Sequence, residues 1–311
     1  MQYRQLGKTN LKLSTVSYGA SPLGSVFRNI SEKDGIKTVH KALDLGVNYI
    51  DVSPYYGATV AETVLGKALK GISRDKYILS TKAGRYGPDF PDFDFSEKRI
   101  RQSLTESCNR LGVDNVDILF LHDIEFGNMQ QVKDEALPCL QALKDEGHIR
   151  YIGVTGYPLK VFSESIEAFD IDCILTYCRH GLHDISLKNI IPSLDEAGVG
   201  IINASPTGMG LLTERGAPEW HPGSKALLDA SKRAVALCVS QGVDPTALAL
   251  QYAMNHPSIA STVVGTANPL NIEKNVKWAE NALNVELAEQ VRRIFADVDC
   301  TWSSGYPENQ D

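Results

Sequence analysis

Apolar runs of strand length alternate along this chain with longer stretches in which apolar residues recur at helical spacing. Residues 3–6 and 11–13, joined by Gly7-Lys8-Thr9-Asn10, predict a small hairpin ahead of the main alternation. A first strand over 16–18 ends at Gly19-Ala20-Ser21. Ser31 then caps a helix with Asp34 in its first turn, with Ile36, Val39, Ala42 and Leu43 inward and Gly46 as its stop. The strand leading to Asp51 precedes a helix over 61–70, and the strand leading to Lys82 precedes one over 97–111, with Gly112 behind it. The strand leading to His122 precedes a helix over 130–146, which Pro138 is expected to kink or split.

Strands five to eight follow at 152–155, 173–177, 199–204 and 261–264, with helices near 159–168, 187–197 and 225–241. Asp244-Pro245 caps a further helix before the eighth strand; Asn268-Pro269 opens another after it, and 286–298 forms the last. No composition break, linker or low-complexity segment interrupts the series. The reading is one α/β domain over residues 1–311, a (β/α)8 TIM barrel with an N-terminal β-hairpin and extra C-terminal helices.

Composition removes several classes. With 43% hydrophobic and 22% charged residues, the chain is neither disordered nor membrane-like. The balance of 31 basic against 38 acidic residues gives −7 with no long basic run, which argues against a nucleic-acid partner. The longest apolar runs are strand-sized, so no membrane association is expected. Residues 1–13 lack a signal-type apolar core, and Glu308-Asn309-Gln310-Asp311 matches no retention or peroxisomal signal. Six scattered cysteines read as thiols of a reducing compartment, which makes the sequons at Asn29 and Asn203 irrelevant. A cytoplasmic protein is expected; the oligomeric state is not legible.

The chemistry starts at Asn48-Tyr49-Ile50-Asp51-Val52-Ser53-Pro54-Tyr55-Tyr56-Gly57, where a carboxylate ends a strand and two tyrosines stand in the turn. Alone, these residues could simply satisfy a loop. The next two strands, however, end in Lys82 and His122, and packing gains nothing from an ionisable residue at three successive strand ends. In a parallel barrel those ends share the face where sites are built. Asp51, Tyr56, Lys82 and His122 are therefore expected to converge.

Their order resembles the catalytic tetrad of the aldo-keto reductase family, as does the wording Gly46-Val47-Asn48-Tyr49-Ile50-Asp51 and Leu119-Phe120-Leu121-His122. The resemblance covers nearly the whole chain. Leu121-His122-Asp123-Ile124-Glu125-Phe126-Gly127 and Thr176-Tyr177-Cys178-Arg179-His180 narrow it to the family's sugar-oxidising members. It implies oxidation of L-galactose at the anomeric carbon to L-galactono-1,4-lactone, a step towards ascorbate, with Tyr56 as proton acceptor. A free phenol has a pKa of about 10; a neighbouring ammonium lowers it, and Asp51 can keep that ammonium charged. Neutral His122 would orient the reacting oxygen. The protein has no hydride donor or acceptor of its own, so a nicotinamide is required. Other aldoses such as L-fucose or D-arabinose remain open, as does a nucleotide-sensing regulatory subunit of this fold. A metal-dependent hydrolase would need more strand-end ligands than Asp51 and His122.

For the cofactor, Ser205, Pro206, Thr207, Gly208, Met209, Gly210 and Leu211 form a glycine-rich loop after strand seven. It reads as a pyrophosphate cradle; a Rossmann fingerprint would need a following strand that ends in an acid. Gly265, Thr266, Ala267 and Asn268 lead into a helix N-terminus, which attracts an anion. By resemblance, Gly19, Ala20, Ser21, Asp51, Asn271 and Asn275 join this site, Asn275 at the adenine. Thr155 and Thr176 stand where the family holds the nicotinamide amide, and Ala204 where it usually stacks a tyrosine. The positions at which NADP-dependent relatives carry basic side chains are Gly265 and Asn271 here, so the expected cofactor is NAD.

Tyr56, His122, Tyr86, Phe126, Cys178 and Arg179 are the candidate pocket for a small-molecule aldose, with Tyr157 and Trp302 nearby. No metal is expected: Cys173, Cys178, His180 and His183 lack paired ligand spacing, and the two cysteines, five apart, face opposite sides of an extended strand. Glu62 is read as an exposed first-turn acid.

Overall fold

The predicted hairpin forms from β1 (Tyr3–Gln5) and β2 (Lys12–Ser14), paired antiparallel with Tyr3 opposite Ser14. It is pinned by Arg4, whose guanidinium donates to the carbonyls of Met254, His256 and Ile259 at 2.9, 2.8 and 2.8 Å. The computed structural model describes residues 1–26 and 28–311. Eight parallel strands close into a barrel: β3 (Val16–Gly19), β4 (Tyr49–Asp51), β5 (Ile78–Ala83), β6 (Val116–Leu121), β7 (Ile149–Gly156), β8 (Cys173–Tyr177), β9 (Gly200–Ala204) and β10 (Ile259–Gly265), with β10 pairing back to β3.

Side chains alternate between the two faces of each strand. Tyr49, Ile118, Phe120, Cys173, Leu175 and Ile202 fill the barrel interior together with Leu6, Leu11 and Leu13, so the hairpin plugs the end where the strands begin. Ile50, Leu79, Leu119, Leu121, Ile174 and Ile201 face the helices. That parity decides which strand-end residues can look into the opposite, open end.

The helical layer is α1 (Glu32–Asp44), α2 (Val60–Leu69), α3 (Glu97–Leu111), α4 (Met129–Gln131), α5 (Leu137–Asp145), α6 (Lys160–Ala168), α7 (Ile191–Glu196), α8 (Lys225–Ser240), α9 (Pro245–Met254), α10 (Pro269–Ala279) and α11 (Val285–Ile294). The expected caps are in place: Ser31 accepts from the Asp34 N–H, Asp244 from Thr246 and Asn268 from Leu270. In α1 the inward face is Gly35, Thr38, Val39 and Ala42, while Ile36 and Leu43 are half-buried. The helix expected over 130–146 is divided just before Pro138, into α4 and α5. A π turn over Val132–Ala136 precedes the proline, in which the Leu137 N–H reaches back to the Val132 carbonyl. The wider turn accommodates a residue that has no N–H to give.

Glu62 corrects the sequence reading. It is fully buried, accepting from Thr81 Oγ1 at 2.6 Å and Arg110 Nε at 2.7 Å, because the first turn of α2 lies against β5 and α3. A second apolar cluster, under α8, α9 and α11, includes Leu211 and Leu212 and so seats the loop after β9. Among the described residues no helix is long and apolar enough to cross a membrane.

Candidate active site

β4, β5 and β6 deliver Asp51, Lys82 and His122 to the open end on the interior parity, and the turn after β4 brings Tyr56 over them. Gly57 makes that turn possible. Its φ is +62°, and a Cβ there would lie 2.1 Å from the Gly24 carbonyl oxygen. Lys82 Nζ lies 2.6 Å from Asp51 Oδ2, 2.9 Å from the Val52 carbonyl oxygen and 3.2 Å from the Tyr56 hydroxyl. Asp51 Oδ1 accepts from Ser80 Oγ at 2.8 Å, which directs the Tyr49 hydroxyl, 2.8 Å away, to donate to Ser80 in turn. All four residues expected to converge do so.

Their electrostatics follow from burial and neighbours. Burial works against the Lys82 charge, but Asp51 and Tyr56 outweigh it and hold the ammonium above its ordinary pKa. Burial raises the Tyr56 phenol, and Lys82 opposes that rise. His122 is pushed by burial down to about 3, with Asp123 opposing and Lys82 and Arg85 reinforcing the shift, so it is neutral at physiological pH. Its Nδ1 lies 3.0 Å from Ser53 Oγ, which already accepts the Tyr55 N–H at 3.1 Å. The Ser53 hydroxyl hydrogen is free for Nδ1, and the Asp123 carboxylate 3.7 Å from Nε2 favours the tautomer with the ring proton on Nε2.

Residues that the sequence did not single out complete the mouth. Asp123, next after His122, has φ +51°; its N–H donates to Thr155 Oγ1 at 2.9 Å and its Oδ1 accepts from the same hydroxyl at 3.1 Å. Arg85, three residues after Lys82, donates to Asp123 Oδ2 and lies 3.9 Å above the Tyr55 ring. Burial alone would raise the Asp123 carboxyl, but the Arg85 guanidinium, with the Thr155 hydroxyl, holds it below the usual carboxylate range. Arg85 left no signal beyond its position three steps past a strand end, whereas Asp123 lies in the Leu121–Gly127 run that carried the resemblance.

The last residues of the chain cross the same mouth. Trp302 stacks on Tyr157 at 4.4 Å, Ser304 Oγ donates to Glu125 Oε1 at 2.8 Å, and Asn309 Nδ2 donates to the Glu125 and Gly127 carbonyls at 2.9 and 3.1 Å. Glu125 is fully buried and is pushed up to about 8, first by burial and then by Asp123. A folded pKa above the unfolded value of about 4.3 means this carboxyl favours the fold at low pH and loses that contribution as pH rises through 8. Glu125→Gln, neutral throughout, should therefore gain in melting temperature over the wild type on going from pH 5 to pH 8, by about 2 °C or more. Thermal melts at the two pH values check this; a constant difference would mean Glu125 is charged in the fold.

The candidate substrate residues separate. Phe126 stacks on Phe93 at 4.5 Å and forms a rim with Phe90 and Tyr306, whose rings meet at a tilt of 46° with centroids 4.7 Å apart. Cys178 is buried, with Sγ 4.0 Å from the Ser205 carbonyl oxygen. The Arg179 charge is taken by Asp311 and by Asp184 at 3.6 Å, and its guanidinium lies over Tyr157. Tyr86 turns away, its hydroxyl accepting from the Gly84 N–H at 3.1 Å and its ring under Arg99 of α3.

Two of the expected amide contacts change as well. The Thr155 hydroxyl is committed to Asp123. Thr176 has the wrong parity: Cys173 and Leu175 face the interior, so Thr176 faces the helices, buried and unpaired, and β8 offers Leu175 and Tyr177 to the mouth. His180 and His183 are buried and neutral, with pKa values lowered to about 3 and about 4 by burial. Among the described residues no cluster of His, Cys, Asp or Glu could hold a metal.

The rest of the cofactor region fits a dinucleotide. In the loop after β9, Ser205, Gly208, Met209 and Gly210 have φ of 55°, 62°, 53° and 108°, and its own turns use the Gly208, Leu211 and Leu212 N–H groups. Among the described residues nothing accepts from the N–H of Thr207, Met209 or Gly210, and a run of unpaired backbone donors in such a turn is what an anion-binding nest is built from. Gly19 and Gly265 are register partners, so neither β3 nor β10 carries a side chain at that level, which leaves a notch bordered by Val263 and Pro22. A Cβ at Gly265 would crowd Pro22 at 3.2 Å. Ala20, Ser21, Pro206, Thr266 and Ala267 flank these two features. Asn271 is exposed and Asn275 half-buried on α10, whereas Lys277 and Lys41 pair with Glu273 at 2.9 and 3.6 Å.

Comparison with known proteins agrees with this geometry. The family model described as "Aldo/keto reductase family" matches residues 15–296. The chain is 46% identical to the L-galactose dehydrogenase of Arabidopsis thaliana, over 99% of each chain. It is 32% identical to the D-arabinose 1-dehydrogenase of Saccharomyces cerevisiae, over 95% of each. Among solved structures, the holo form of an aldo-keto reductase from Bacillus halodurans superposes with a TM-score of 0.81 at 27% identity, covering 100% of both chains.

Proposed function

The chain belongs to the aldo/keto reductase family, and from that premise we propose that it oxidises L-galactose at C1 to L-galactono-1,4-lactone with NAD. The observation that carries the reaction type is the buried Asp51–Lys82–Tyr56 chain, with a neutral His122 beside it. The sugar is carried by the similarity to the Arabidopsis enzyme over 99% of both chains. A bound nicotinamide dinucleotide would supply the hydride acceptor. The nest at 207–210 and the Gly19–Gly265 notch would hold its phosphates, and α10, through Asn271 and Asn275, its adenosine half. His122 Nε2 donates to the C1 oxygen and fixes its direction. Tyr56 takes the hydroxyl proton, with Lys82 stabilising the phenolate and Asp51 keeping Lys82 charged. The mouth, roofed by Trp302 and the final residues, excludes water while C1 gives up its hydrogen. A role on the way to ascorbate and a cytoplasmic location complete this reading; the six unpaired cysteines suit a reducing compartment.

A panel of L-galactose, L-fucose and D-arabinose, followed by NADH or NADPH absorbance, tests the reaction. L-galactose is expected to be the best substrate, and no turnover of any aldose would reject the proposal. With L-galactose, kcat/KM should favour NAD over NADP by at least about tenfold, since one or two charge-assisted bonds to a 2′-phosphate, each about 1.5–3 kcal/mol, are missing. Gly265 has no side chain, Asn271 no charge, and Lys277 is already paired. Asn271→Arg should recover part of the NADP activity. Equal use of both cofactors by the wild type would point to the exposed Lys274 as the phosphate ligand.

A further inference from the structure

The Arg85–Asp123 ion pair has no part in the proton chain, yet it lies at the reacting end of the mouth. Asp123 Oδ2 is 3.7 Å from His122 Nε2, the nitrogen that meets the C1 oxygen. Two side chains hold the carboxylate there, Thr155 through the Asp123 N–H and Oδ1 and Arg85 through Oδ2, on a left-handed backbone at +51° that aspartate tolerates better than most non-glycine residues. Arg85 is clamped in turn between the Tyr55 ring at 3.9 Å, the Gly87 carbonyl at 3.3 Å and the Phe93 and Phe126 rings. A desolvated ion pair contributes little net stability against an apolar replacement, so such an investment in its position points to a ligand.

The chemistry narrows what that ligand group is. A carboxylate accepts hydrogen bonds and cannot bind a ring oxygen or a carbonyl, neither of which has a hydrogen to donate. It binds a hydroxyl, and the adjoining guanidinium can donate to that same hydroxyl oxygen. With the C1 oxygen on His122 Nε2, the group one carbon away falls beside Asp123 Oδ2. In an aldose that group is the C2 hydroxyl. Resting on the dehydrogenase reading above, we propose that Arg85 and Asp123 form the recognition site for the hydroxyl vicinal to the reacting carbon. They would thereby select 2-hydroxylated substrates over simple aldehydes and alcohols.

The test compares L-galactose with 2-deoxy-L-galactose. The wild type should lose at least about tenfold in kcat/KM on the deoxy sugar, since a site built around a hydroxyl is left with unpaired polar groups when that hydroxyl is missing. In Asp123→Asn, which keeps the shape, and in Arg85→Met, that preference should shrink at least fivefold. A purely structural role would lower both activities in proportion and leave the preference intact, and that result would overturn the proposal. Equal use of the two sugars by the wild type would overturn it without any variant. Failure of the wild type to oxidise any aldose would instead remove the reaction on which it rests.

Discussion

Tyr56→Phe is expected to lower sugar oxidation by at least about 100-fold, the lower end of what general acid–base catalysis contributes. The substitution is clean because it removes one oxygen. The ring keeps its edge-on contact with His122 at 5.8 Å between centroids and its place under Lys82, 4.7 Å from the ring centre. Lys82 loses one bond of 3.2 Å but retains Asp51 and the Val52 carbonyl, so its charge and the fold should survive. Cofactor affinity should hardly change, because the lost hydroxyl is bonded to Lys82 and to nothing in the 207–210 loop or at Gly19 and Gly265. Steady-state kinetics and NADH fluorescence titration on the folded variant separate the two effects. Near-normal turnover would transfer the role of base to Tyr55, whose ring centroid is 6.0 Å from those of both Tyr56 and His122.

Lys82→Met should abolish activity near neutral pH and leave what survives at alkaline pH. The Tyr56 phenol is already raised by burial, and Lys82 is the group that opposes the rise. Oxidation needs the deprotonated form, whose population falls about tenfold for each pH unit below the pKa. Wild-type kcat should therefore climb with pH, and removing the ammonium should displace that climb upward. The same substitution strands the Asp51 carboxylate in the barrel with Ser80 as its remaining side-chain donor. Breaking a buried pair from one side costs about 3–5 kcal/mol, so the variant should also melt early. The double variant Asp51→Asn/Lys82→Met should regain stability without regaining activity. An unchanged pH–rate profile in Lys82→Met would sink the proton chain.

Alternation was enough to read the barrel, because a parallel strand buried on both faces and a helix with one apolar stripe leave different marks. The tetrad was legible for a related reason: charge at the end of an apolar strand contradicts its own packing. What escaped depended on facts that spacing does not carry. Arg85 and Asp123 meet only because the loops after β5 and β6 are neighbours in the ring. Thr176 was misplaced by a single step, and one step in a strand exchanges interior for exterior. Glu62 did leave a signal. It shares a helical face with Leu65 and Leu69, three and seven residues on, and that face is buried. The π turn before Pro138 had no signature beyond the proline itself.

The ring is completed by β10 pairing with β3, and Arg4 of the hairpin is tied to carbonyls about 250 residues downstream. Every earlier stage of synthesis therefore leaves β3 with an unpaired edge, and the growing sheet ends in a second one. Both are rows of unsatisfied amides and carbonyls that another nascent chain can pair with. The residues over Glu125 add contacts across 179 to 184 positions, so the mouth is roofed only after the ring has closed. Sequence separations of this size make the final closure slow. Aggregation during production should accordingly track translation speed and temperature more closely than the stability of the finished barrel.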